Sequence, residues 1–111
     1  MTIEDSDVVD FVLIDKASGE VTLSISDHLP WDSGEGRHLE LLQCKLNAYL
    51  RFIESGELLE SCPKAIGRNV VINLVGKDPL GSQAKIFFAK AVTAVSDAGY
   101  QLQFQLYSEN Q

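Results

Sequence analysis

Residues 70–75 read Val70-Val71-Ile72-Asn73-Leu74-Val75, an almost unbroken apolar run rich in β-branched side chains. Such a run fits a strand at the middle of a sheet, where both faces are covered. The sequence after it sets the class of fold. Asp78-Pro79 offers an N-cap with proline at the first helical position, and Ser82 is an alternative cap. Ala84, Phe87, Phe88, Ala91, Val92, Val95 and Ala98 then recur on one helical face, and Gly99 stops the pattern. Gln101-Leu102-Gln103-Phe104-Gln105-Leu106-Tyr107 alternates polar and apolar residues, the period of a half-buried strand. Strand, helix and strand in succession make a β-α-β unit, which crosses over right-handed when its strands are parallel in one sheet.

Upstream, the β-branched run from Val8 to Ile14 leads through Asp15-Lys16-Ala17-Ser18-Gly19 into Val21-Thr22-Leu23-Ser24-Ile25-Ser26. Two such runs around a short Gly-containing turn predict a β-hairpin. Asp27 to Gly36 is punctuation. A helical pattern follows over residues 37–55, with Leu39, Leu42, Leu46, Leu50 and Ile53 on one face, and Leu41, Ala48, Tyr49 and Phe52 widening it. Gly56 falls where a left-handed C-cap is wanted. So broad a stripe calls for burial against the sheet and a second helix, or against another chain. Residues 57–69 read as a connection broken by Pro63 and Gly67. The expected fold is therefore α+β, a two-layer sandwich of order β-β-α-β-α-β, with a four-stranded mixed sheet and two helices on one face. One domain spans residues 1–111, with 1–7 and 108–111 expected as flexible ends. The uncovered sheet face would carry Thr22, Ser24, Gln101, Gln103 and Gln105, side chains that suit water and would also suit a polar interface.

Sixteen Asp and Glu against nine Lys and Arg give 111 residues a net charge of −7. That balance disfavours nucleic acid and anionic membrane surfaces, both of which call for clustered cations. It is also uneven: residues 1–60 hold 13 acidic and 4 basic side chains, and residues 61–111 hold 3 and 5. An acidic face of this kind steers a basic protein partner. The acidic start, Met1-Thr2-Ile3-Glu4-Asp5-Ser6-Asp7, is unlike a secretory leader and no apolar run is long enough to span a bilayer, so the expected location is cytoplasmic. Cys44 and Cys62 then read as reduced thiols, the first a small core residue on the long helix, the second a loop thiol.

Reactive residue types are densest in Ser26-Asp27-His28-Leu29-Pro30-Trp31-Asp32, at the exit of a strand, where a rigid scaffold presents functional groups. Histidine beside carboxylates can serve as a general base. Yet no nucleophile is marked by a motif, and Asp27 and His28, as neighbours on a strand, point to opposite faces. The local alternative is that Asp27 or Asp32 caps the turn and Trp31 covers an edge of the core. His28, His38, Asp27, Asp32 and Glu35 match no metal-ligand spacing. Gly76-Lys77-Asp78-Pro79-Leu80-Gly81-Ser82 lacks the glycine pattern of a phosphate loop. No catalytic set, metal or cofactor is expected.

The strings Asp7-Val8-Val9-Asp10-Phe11 and Val21-Thr22-Leu23-Ser24-Ile25-Ser26-Asp27-His28-Leu29, with Trp31, resemble the opening of a family of small bacterial domains of unknown function. The resemblance continues through His38-Leu39-Glu40-Leu41-Leu42-Gln43, Lys45-Leu46-Asn47-Ala48-Tyr49-Leu50 and Phe52-Ile53-Glu54-Ser55-Gly56, and weakens after residue 60. It implies a bacterial, cytoplasmic, single-domain protein and no substrate. It also directs attention to a candidate binding patch of Asp27, His28, Trp31, Asp32, His38, Gln43 and Asn47. Gln43 and Asn47 share a helical face. The expected function is a non-enzymatic interaction module for a basic protein partner or a second copy of itself. The alternative is a small-molecule binding domain or minor enzyme built on the Asp27-His28-Trp31-Asp32 loop.

Overall fold

The computed structural model describes residues 11–29, 31 and 34–107. The expected flexible ends, the first part of the run from Val8 to Ile14, and Asp32 of the candidate patch lie outside the described residues. The elements are β1 (Phe11–Ile14), β2 (Val21–Asp27), α1 (Glu35–Glu54), α2 (Glu57–Ser61), a 3-10 turn (Pro63–Ala65), β3 (Val70–Gly76), α3 (Ser82–Asp97) and β4 (Gln101–Leu106). They form an α+β fold around one four-stranded mixed sheet of order β1-β2-β3-β4. β1 and β2 pair antiparallel, while β2–β3 and β3–β4 pair parallel.

The hairpin closes through Asp15. Its backbone N–H donates to the Glu20 carbonyl at 2.8 Å, and its side chain accepts from the Ala17 N–H at 2.8 Å. Val21, Leu23 and Ile25 of β2, Val70, Ile72 and Leu74 of β3 and Leu102 of β4 turn to one face. There they share a core with Leu42, Leu46 and Tyr49 of α1 and Ala84, Phe88 and Val95 of α3. Both long helices thus lie on that face. The register brings Thr22 and Ser24 level with Val71 and Asn73, and these with Gln101 and Gln103, on the other. As the apolar run 70–75 demands, β3 is buried along nearly its whole length.

Three expectations need correction. The connection 57–69 holds a third helix, α2, and a 3-10 turn, because Leu58 and Ala65 supply apolar anchors that tie it to the core. Cys44 is exposed, not a core residue. The inward positions of α1 are His38, Leu42, Lys45, Leu46 and Tyr49, and Cys44 falls between them. Asp78 does not cap α3, which begins only at Ser82 behind Gly81. The first-turn N–H of Ala84 is met instead by the carboxylate of Glu35, at 3.2 Å from the start of α1. Gly56 does adopt the left-handed backbone its position suggested, with φ 93°, a conformation any residue with a Cβ resists. The broad stripe of α1 is taken up within the fold: α1 touches α2 and α3, and Leu39, Leu41, Leu50, Phe52 and Ile53 pack against the core.

Candidate functional site

β2, β3 and β4 run parallel and stop at one level, with Asp27 beside Gly76 and Gly76 beside Leu106. The ladder continues one step past their ends. Lys77 N–H donates to the Asp27 carbonyl at 2.9 Å, and Tyr107 N–H to the Gly76 carbonyl at 2.7 Å. In α/β sheets the carboxyl edge of parallel strands is where ligands bind, because loops and helix starts converge there. Here α1 and α3 both begin at that edge.

At its centre lies a buried polar pair. The side chain of Asp27, last residue of β2, turns inward as Val21, Leu23 and Ile25 do. His38, one turn into α1, reaches back so that Nε2 lies 2.7 and 2.6 Å from the two carboxyl oxygens, within hydrogen-bond distance of both. The side chains are 2% exposed for His38 and 1% for Asp27. Leu29 N–H donates to Asp27 Oδ1 at 3.1 Å, so the aspartate also closes the local turn. Trp31 seals the pair: its ring stacks on the His38 imidazole with centroids 3.4 Å apart and planes at 12°.

Burial pushes the Asp27 carboxyl above the usual carboxylate range. The hydrogen bond and charge of His38, the Leu29 N–H and the charge of His28 pull the other way without cancelling it. A carboxyl whose folded value lies above its unfolded one binds its proton more tightly in the native state. Its contribution to stability is present at low pH and lost as pH rises through the folded value. Asp27 therefore acts against ordinary acid denaturation. The stability difference between wild type and Asp27→Asn is expected to move in favour of the variant as pH rises out of the carboxylate range. Urea unfolding of both proteins across that range measures it, and a difference constant with pH would refute it.

Among the described residues, two openings lie beside the pair. The larger, about 550 Å³, is lined by Trp31, Glu35, Asp78, Pro79, Gly81 and Ser82. The smaller, about 300 Å³, lies under the strand ends and is lined by Ser26, Asp27, His28, Val75, Lys77 and Tyr107. Of the candidate patch, the structure brings Asp27, Trp31 and His38 into direct contact. It places His28 on the opposite side of the strand end from the Asp27 side chain, exposed at the smaller opening. Gln43 and Asn47 lie exposed further along α1.

Residue-by-residue reading passed over Glu35 as the cap of α3, and Lys77 and Tyr107 as walls of an opening. It also put Tyr49 in the apolar stripe, although its hydroxyl donates to the Ser24 carbonyl. Lys45, fully buried, sets its ammonium 5.6 Å from the Tyr49 ring centroid. The only signal for Lys45 was its place in phase with Leu42 and Tyr49.

Among the described residues, no three His, Cys, Asp or Glu side chains gather as metal ligands would. No described helix is long and apolar enough to cross a membrane. No curated protein and no solved structure matches the chain. One family model does, over residues 1–108, nearly the whole length. The chain belongs to the family of unknown function DUF6572.

Proposed function

We propose that the chain is a non-enzymatic binding module that receives a cationic segment of a protein partner in the cleft beside Trp31. The observation that carries this reading is the charge of the cleft walls. Glu35 and Asp78 line an opening of about 550 Å³, and its described lining holds no Lys or Arg. Around it the protein is acidic, at −7 overall, so the field that draws a basic segment inward extends beyond the cleft. The adjacent His38–Asp27 pair suits support better than chemistry. It is closed off beneath an indole, and the hydrogen bond between its members is already made. A second copy of the chain is the less favoured occupant, because like charge opposes it and the α1 stripe is already covered by α2, α3 and the sheet.

The test uses the intrinsic fluorescence of Trp31, the sole tryptophan of the chain. A tetra-arginine peptide is expected to change the emission saturably at low salt and more weakly at high salt, while tetra-glutamate leaves it unchanged. Asp78→Lys, a substitution at the cleft wall, is expected to abolish the response. A tetra-arginine response that persists in Asp78→Lys, or none in the wild type, would overturn the reading.

A further inference from the structure

We infer that the smaller opening, under the ends of β2, β3 and β4, is a separate binding site for a small organic carboxylate. In a protein of net charge −7, this opening gathers the opposite character. Lys77 and His28 stand at its rim, and Ser26 and Tyr107 add hydroxyl groups. Asp27, the one acidic residue in its described lining, commits its carboxyl to His38, while its backbone carbonyl accepts the Lys77 N–H.

The strand period explains how the donors come together. By the strand period, Ser26 on β2 and Val75 on β3, which pair in register, and His28, Lys77 and Tyr107, each one residue past the end of its strand, fall on the sheet face away from the helices. The Lys77–Asp27 and Tyr107–Gly76 backbone bonds hold the three chain segments together past the strand ends, so the donors stand on a rigid frame. The volume, about 300 Å³, is at the lower end of small-molecule sites, which begin at about 300 Å³. Val75 and the Tyr107 ring supply an apolar wall beside the charged rim. That combination suits a carboxylate with a short hydrocarbon body better than a fully polar phosphate. Among the described residues the two linings share no charged side chain, so the site stands or falls apart from the function proposed above.

The test is a titration of the full-length chain with sodium butyrate at constant ionic strength, followed by amide chemical shifts. Saturable shifts at His28, Lys77 and Tyr107 are expected. Lys77→Met is expected to weaken binding about tenfold or more, as loss of one charge-assisted hydrogen bond would. Lys85→Met, an exposed change on α3, is expected to leave it unchanged. Since Lys77 is exposed, its variant keeps the fold, which the dispersion of the remaining resonances checks. Absence of saturable butyrate shifts, equal affinity in Lys77→Met, or saturation by inorganic phosphate without butyrate would each overturn the assignment.

Discussion

Replacing His38 with alanine is expected to cost about 3–5 kcal/mol of folding stability at neutral pH, because it leaves the buried Asp27 carboxylate without its partner. At about 4 °C per kcal/mol for a domain of this size, the melting temperature should fall by about 12–20 °C. The loss has a diagnostic pH dependence. In the variant the orphaned carboxyl can relieve its own burial by taking up a proton, so the penalty should shrink on acidification. His38→Gln, which keeps a hydrogen-bond donor, should lose less. Asp27→Asn combined with His38→Ala should recover part of the single-variant loss, since the carboxylate left without its partner is then gone from this site. Thermal and urea unfolding of the three variants at neutral and acidic pH would decide. A His38→Ala protein as stable as wild type would mean that water reaches Asp27 and that the buried pair does not support the fold.

Trp31→Ala should be of similar severity, about 3–5 kcal/mol, for a different reason. The indole is only 5% exposed and belongs to the main core cluster, so its removal takes a large buried apolar surface out of the core. It also uncovers the imidazole face on which it stacks. Water admitted there would ease the desolvation of Asp27, returning its carboxyl toward the usual range, an effect that carboxyl-carbon NMR can follow through pH. Trp31→Phe keeps an aromatic lid and should lose much less. Because Trp31 and His38 touch, Trp31→Ala and His38→Ala should not add: the double variant should lose less than the two losses combined. Additive losses would show that the stack and the Asp27–His38 hydrogen bond are independent.

These expectations could not have been written from the sequence, although much of the frame could. The alternation of Gln101 to Tyr107, the unbroken run Val70 to Val75 and the Val21-Leu23-Ile25 phase carry their periods openly, and each became the strand it suggested. The opposite orientations of Asp27 and His28 were legible for the same reason. What stayed hidden were pairings between elements. His38 is eleven residues from Asp27 and in a different element, and nothing local to either marks them as partners. Glu35 caps a helix that starts some fifty residues later in the chain. A local rule therefore sought the cap at Asp78, in the chain leading into the helix. Cys44 was expected in the core because hydropathy assigns cysteine there, while helical phase turns Cys44 out and its neighbour Lys45 in.

The strand order β1-β2-β3-β4 also bears on how the molecule assembles in time. Every strand pairs with its predecessor in the chain, so none must be inserted between two already joined. Val21 must wait for Val70 across the connection that holds α1 and α2, and Val71 for Gln101 across α3. The entropy of closing such loops grows only slowly with their length. The sheet can grow from one border to the other, with each new segment docking on a finished edge. Refolding should then proceed without a step in which an established pair is prised apart, and the last border to form is the one that β4 presents to solvent.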